Sequence, residues 1–187
     1  RQIAREFGKD FFDGSRSHGY GGFNYSPRFW ENVVPVFQKH FSLCETSSIL
    51  DIGSGGGVFL YTFLQKNKFW SAFGVEPTSE FAALTQKKLN CEVYSGNYSS
   101  GIFNEKFDLI TCNQVLEHTI NPIVFLNDIF TDLNNGGYLY IEVPDAIDFE
   151  ELPPEHDRFL AQHLWYFSKT VLERMFQDSG FKVLRIE

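Results

Sequence analysis

Residues 49–57 read Ile-Leu-Asp-Ile-Gly-Ser-Gly-Gly-Gly, and the fold is decided here. An apolar pair runs into Asp51, and glycines then stand at the alternate positions Gly53, Gly55 and Gly57. Phe59, Leu60, Phe63 and Leu64 follow at helical spacing. The pattern predicts a buried strand ending at Ile52 and a helix entered at Gly55 or Gly56. Glycine lets the chain turn sharply and leaves no side chain between backbone and ligand. A strand, a glycine turn and a helix make a small-molecule crevice at the carboxyl end of a parallel strand. A dinucleotide fingerprint, G-x-G-x-x-G counted from Gly53, would need glycine where the chain has Val58.

Downstream, Ser71 to Val75 reads as a second buried strand with Glu76 and Pro77 at its carboxyl end. A carboxylate there can accept hydrogen bonds from both hydroxyls of a ribose. It stands 25 positions beyond Asp51 (51 to 76), near the roughly 20-residue separation of nucleoside-binding units. A lone loop glutamate is otherwise simply solvated. Further on, Phe107-Asp-Leu-Ile-Thr-Cys-Asn-Gln-Val-Leu-Glu-His118 carries an apolar strand, Leu109 to Cys112, into the polar residues Asn113 and Gln114. Near the end, His163-Leu-Trp-Tyr-Phe-Ser168 precedes a helix and Gly180-Phe181.

Taken in order, these segments resemble the class I S-adenosylmethionine (SAM)-dependent methyltransferases over roughly residues 47–187. D-x-G-x-G-x-G is similar to motif I of that family. F-D-L-I-x-x-x-x-V-L-E-H resembles its fourth-strand motif, including that of the phenol O-methyltransferases of ubiquinone biosynthesis. H-x-x-x-F-S resembles a segment of many bacterial methyltransferases, some encoded near polysaccharide genes. The resemblance implies SAM as cofactor and S-adenosylhomocysteine as product. It implies that Asp51 contacts the amino group of SAM and that Gly53, Ser54, Gly55 and Gly57 pack against its amino-acid end. Glu76, followed by Pro77, would hold the ribose, and Asn113 and Gln114 would line the methionine portion. Many members carry an acid after the third strand for the adenine amino group; this chain departs from them and offers Asn97.

Methyl transfer from a sulfonium asks the protein for alignment, exclusion of water and, for some acceptors, removal of a proton. His118 and His163 are the candidate bases, since imidazole ordinarily titrates near neutrality. A helix-start histidine that merely packs is the plain alternative for His118. Glu155, His156, Asp157 and His163 match no defined metal-site spacing, so an exposed acidic loop and no metal are expected. Tyr20, Tyr25 and Trp165 are candidates for pocket walls, or simply core aromatics.

The chain has 187 residues, 43% of them hydrophobic, enough for one domain with a sizeable core; with 21 Phe, that core is phenylalanine-rich. The net charge of −8 opposes a phosphate-tracking surface, so a small-molecule substrate is expected in place of nucleic acid. Cys44, Cys91 and Cys112 form no C-x-x-C, which fits a reducing cytoplasmic setting. No apolar run approaches the roughly 20 residues of a membrane span, and no membrane partner is expected. Oligomeric state is not legible.

Residues 1–46 read as an N-terminal helical and aromatic lid, with a helix over 27–41 that Pro35 would kink. Residues 47–187 read as the SAM-binding core, a Rossmann-like, doubly wound α/β fold with a mainly parallel sheet and helices on both faces. The expected strand order is 3-2-1-4-5-6, with a sixth strand over 181–186 and the family's seventh strand absent from this chain. Helices are expected over 78–89, from Asn121 and Pro122 to a stop at residues 134–137, and from Ser168 to Gly180. The leading reading is methyl transfer to a small molecule, a sugar, sugar nucleotide or phenol. A non-catalytic SAM-binding module and a nicotinamide-dependent oxidoreductase are the alternatives.

Overall fold

The computed structural model describes residues 30–147, 149–153, 159 and 163–187. Most of the expected lid, with Tyr20 and Tyr25, and the Glu155, His156, Asp157 run lie outside the described residues.

Five strands form one parallel sheet in the order β3-β2-β1-β4-β5. They are β1 (Ser48–Ile52), β2 (Ser71–Glu76), β3 (Glu92–Ser95), β4 (Phe107–Asn113) and β5 (Leu133–Glu142). The helices are α1 (Val33–His40), α2 (Val58–Lys66), α3 (Ser79–Leu89), α4 (Pro122–Asp132) and α5 (Lys169–Asp178). The order reverses between β1 and β4, so the chain leaves these two strands in opposite directions and opens a crevice at their carboxyl ends.

Side chains from β1 and β4 fill both faces of the sheet. Leu50, Ile52, Ile110 and Cys112 point into one apolar cluster with Leu126 and Ile129 of α4. Ile49 and Leu109, one residue out of phase, point into the other with Val34 and Phe37 of α1 and Phe59 and Phe63 of α2. This alternation is the period of two that a doubly covered strand imposes. Phe63 and Phe107 are fully buried, each worth about 1.5–3 kcal/mol of transfer free energy. Truncating Phe107 to Ala would cost about 3–5 kcal/mol, because the site cannot close around the void. At the amino ends, the Asp108 carboxylate accepts from Ser48 N–H at 2.9 Å and from Asn134 Nδ2 at 2.8 Å, tying β1, β4 and β5 together.

Several helix ends follow the sequence signals. Asn121 caps α4, its Oδ1 accepting from Val124 N–H, with Pro122 first in the helix. Ser168 caps α5 by accepting from Val171 N–H.

Four expectations need correction. α2 starts at Val58, beyond Gly55 and Gly56, because Gly57 is in the left-handed region (φ 74°) and acts as the cap. Pro35 lies in the first turn of α1, where its missing N–H breaks no helical bond. Asn134 to Gly137 do not form the stop after α4 but belong to β5, where the pairing register shifts opposite Phe107 to Leu109. A Cβ at Gly137 would lie 2.8 Å from the Phe107 carbonyl oxygen, so glycine lets the strands approach there. Residues 181–186 form no strand. Phe181 N–H closes α5 by donating to Phe176 O, and Phe181 and Ile186 give their side chains to the core without pairing to β5.

Candidate active site

The glycine turn leaves β1 at the centre of the crevice. Gly53 and Gly55 have φ of 77° and 51°. A Cβ on Gly53 would meet Val115 Cγ2 at 2.4 Å, so the turn is pressed against the loop after β4. A Cβ on Gly55 would meet nothing within 4 Å, which leaves open space on that side of the turn. Gly53 and Ser54 N–H both donate to Val75 O, at 2.8 and 3.0 Å, which fixes the turn to β2.

Two acids flank this turn. Asp51 is buried, and its Oδ1 accepts from the Thr111 hydroxyl at 2.8 Å. Burial pushes its carboxyl up to about 7; the Thr111 bond opposes the rise and the Glu76 charge adds to it. Glu76, also buried, accepts from Gly55 N–H at 2.9 Å and from Thr78 N–H at 2.8 Å. Each carboxylate oxygen can take a second donor, so both keep acceptor capacity toward the crevice.

Pro77 follows on the surface, and Asn97 is exposed just past β3. Asn113 ends β4 with a buried Oδ1 that has no partner among the described residues, and Ser54 Oγ is in the same condition. Gln114 has φ 55°, a sparsely populated value for a residue with a side chain. It is held there by Gln114 N–H to Glu142 O at 2.8 Å and Nε2 to Glu142 Oε1 at 3.3 Å. Open space at Gly55, carboxylates with spare lone pairs and two orphaned polar atoms fit a ligand with an ammonium group, hydroxyls and a carboxylate, as SAM has.

Beyond Val115 the chain makes a short 3₁₀ turn, Leu116–His118. His163, buried, returns to this turn from 46 residues downstream (117 to 163). Leu164 and Trp165 N–H both donate to Glu117 O, at 2.9 and 3.2 Å, and Trp165 Nε1 donates to Thr119 O at 2.8 Å. The rings of His118 and His163 meet edge to face, with centroids 4.9 Å apart. Glu117 is 1% exposed, and neither of its carboxylate oxygens has a hydrogen-bond partner among the described residues. Burial lifts its carboxyl to about 7, assisted by the Glu142 charge. Burial, with His118 alongside, lowers His163 to about 4, so its imidazole is neutral at neutral pH.

The two candidate bases are thus neighbours, which their separate sequence segments did not disclose. Two features were missed. One is the bond from Gly55 N–H to Glu76, which locks the turn to the end of β2. The other is Glu117 as third member of the histidine cluster. Its only sequence signal was adjacency to His118. The metal reading considered at residues 155–157 with His163 lies largely outside the described residues. Among the described residues, the group with ligand-like geometry is Glu117, His118 and His163.

A parallel sheet ordered 3-2-1-4-5, a glycine turn after β1 and an acid closing β2 make a Rossmann-like crevice of the kind that class I SAM-dependent methyltransferases share with other nucleoside-binding folds. A family described as a methyltransferase domain matches residues 25–186, and the chain belongs to that family. A ubiquinone biosynthesis O-methyltransferase of Hydrogenovibrio crunogenus is 23% identical over 111 residues, covering 56% of this chain and 45% of that protein. A tRNA U34 carboxymethyltransferase of Dichelobacter nodosus is 29% identical over 143 residues, covering 72% of this chain and 46% of that protein. The chain therefore spans about half the length of these curated relatives. A SAM-dependent methyltransferase structure from Clostridium acetobutylicum superimposes with a TM-score of 0.68 at 13% identity, covering 87% of this chain and 83% of that one. No helix among the described residues is long and apolar enough to cross a membrane.

Proposed function

We propose that this chain transfers the methyl group of SAM to a hydroxyl of a small molecule, a phenol or a sugar, and releases S-adenosylhomocysteine. One observation carries the acceptor side of this reading. Two histidines and a buried glutamate converge beside the glycine turn, linked to it through Val115, where the methyl group would be presented. A sulfonium methyl is already activated, so the protein's task is alignment, dryness and handling of the acceptor proton.

On the cofactor side, the Asp51 carboxylate faces the ammonium of SAM, Glu76 takes the ribose hydroxyls, and Gly53, Ser54, Gly55 and Gly57 bed the methionine end. Pro77 closes the ribose edge, Asn97 offers its amide to adenine, and Asn113 and Gln114 line the methionine carboxylate. On the acceptor side, His118 and His163 activate the hydroxyl. With no cation bound, one imidazole takes the proton. Trp165 and the exposed Leu164 beside it give the mouth an apolar rim suited to a ring-bearing acceptor.

The net charge of −8 favours a small molecule over tRNA, although the relatives include a tRNA enzyme. Three free, separated thiols, Cys44, Cys91 and Cys112, suit a reducing cytoplasm. The test is to titrate SAM, S-adenosylhomocysteine and NAD by calorimetry, then assay methyl transfer to phenols, sugars, sugar nucleotides and tRNA. Binding of both adenosyl ligands with turnover on a phenol or sugar is expected. Preference for NAD would refute the cofactor, turnover on tRNA alone would refute the acceptor class, and SAM binding without turnover would leave a binding module.

A further inference from the structure

We propose that Glu117, His118 and His163 bind a divalent transition-metal cation at the acceptor side of the crevice. Their candidate donor atoms, one carboxylate oxygen and two imidazole nitrogens, all lie within 4.8 Å of one another. Glu117 Oε1 and His118 Nε2 are 3.9 Å apart. With bonds of about 2.0–2.2 Å, two ligands of a tetrahedral ion stand about 3.4 Å apart. Small side-chain rotations span the difference.

The burial makes the case stronger than proximity alone. Glu117 is 1% exposed and both its oxygens lack a partner among the described residues; His163 is 9% exposed and its Nδ1 likewise lacks one among them. At 3.9 Å the Glu117–His118 contact is too long for a hydrogen bond, so that histidine does not satisfy the acid. A buried carboxylate is normally paired or bound to metal. The arrangement is also held from outside: Leu164 and Trp165 N–H grip the Glu117 carbonyl, and Trp165 Nε1 grips that of Thr119. These bonds bring His163 to Glu117 whether or not a cation is present, as a preorganised site requires.

The donor set indicates the kind of ion. Two imidazoles and one carboxylate suit Zn²⁺, Fe²⁺, Co²⁺ or Ni²⁺, whereas Mg²⁺ and Ca²⁺ prefer oxygen alone. Three protein ligands leave a position open. Resting on the methyl-transfer reading above, that position would take the acceptor hydroxyl and lower its pKa, so that the proton leaves to bulk water before methyl transfer and a loaded site needs no imidazole as base.

The test uses the chain stripped with a chelator. Co²⁺ is titrated by visible absorption, Zn²⁺ in competition with a chromophoric chelator, and SAM by calorimetry in parallel. One equivalent of cation should bind. Glu117→Gln, His118→Ala and His163→Ala should each weaken Zn²⁺ by at least about 100-fold while keeping wild-type circular dichroism. Wild-type protein that binds SAM but no cation overturns the metal site and leaves the methyltransferase reading standing. Cation binding unchanged in all three variants likewise overturns it. Cation binding at these residues without SAM binding supports the site and counts against the methyltransferase reading instead.

Discussion

The Thr111 hydroxyl donates to the Asp51 carboxylate at 2.8 Å inside the sheet, across the β1–β4 pair where the strand order reverses. This single bond does not offset the burial of the acid, and the Asp51 carboxyl is lifted to about 7. By the proposed reading the ammonium of SAM lies against Asp51, where it would favour the ionised form. SAM affinity should therefore rise with pH up to about 7 and level off above it. Below that pH, binding should expel a proton, which calorimetry in buffers of different ionisation enthalpy would detect. Asp51→Asn should bind SAM more weakly and without proton release. Identical proton release in wild type and variant would remove the contact.

The same acid sets a stability trend. Its folded pKa lies above the value of about 3.9 in an unfolded chain. Between about 4 and 7 the folded state holds a proton that the unfolded state has lost. Stability should thus fall as pH rises through this window, and the Asp51 contribution should be constant outside it. Asp51→Asn should flatten this part of a urea-denaturation profile measured against pH. A slope unchanged in the variant would assign the trend to other groups.

Glu76 carries two burdens, since its carboxylate orders the turn through Gly55 N–H and, by our reading, takes the ribose diol. Glu76→Ala should weaken both SAM and S-adenosylhomocysteine by at least about tenfold, the value of one lost charge-assisted bond. Circular dichroism would establish folding and calorimetry the affinities. Unchanged affinity in a folded variant would falsify the ribose assignment.

The glycines of the turn should separate into two kinds. A Cβ at Gly57 would lie 2.5 Å from Thr85 Cγ2, so Gly57→Ala should lower the melting temperature. Gly55 faces open space, so Gly55→Val should fold, at about 1–2 kcal/mol for its left-handed backbone, yet lose SAM binding. Tight SAM binding by Gly55→Val would mean that the ligand does not approach this side of the turn.

Much of this was legible in the sequence because it is local. The apolar run before Asp51, the cap at Asn121 and the cap at Ser168 each depend on a few neighbouring residues, and each matches the structure. Residues 134–137 misled because Asn-Asn-Gly-Gly is turn-like in composition, whereas contact with Phe107 and Asp108 draws it into β5. The run 181–186 is apolar enough to read as a strand, but apolar side chains report burial and not pairing, and Phe181 and Ile186 reach the core with no backbone ladder to β5. The Glu117–His163 meeting could not be read at all. It depends on backbone bonds between segments separated by 46 residues (117 to 163), and backbone N–H groups carry no sequence signature.

The histidine pair gives the most decisive test of chemistry. Acceptance of the hydroxyl proton and coordination of a cation both use imidazole lone pairs, so either role is lost when a ring is removed. His118→Ala and His163→Ala should each lower turnover on the true acceptor by roughly the 10²–10⁴ of a lost proton-handling group. SAM affinity should stay near wild type, because neither ring belongs to the SAM-binding residues argued above. A purely structural role would instead lower the melting temperature and SAM affinity together. Treating wild type with a chelator separates the two chemical roles. Turnover abolished by the chelator and restored by Zn²⁺ or Co²⁺ assigns the pair to the cation, and turnover indifferent to the chelator assigns it to the proton. If both variants keep full activity, the pair has neither role. The enzyme would then work by alignment alone, which suits an acceptor that reaches the site already ionised.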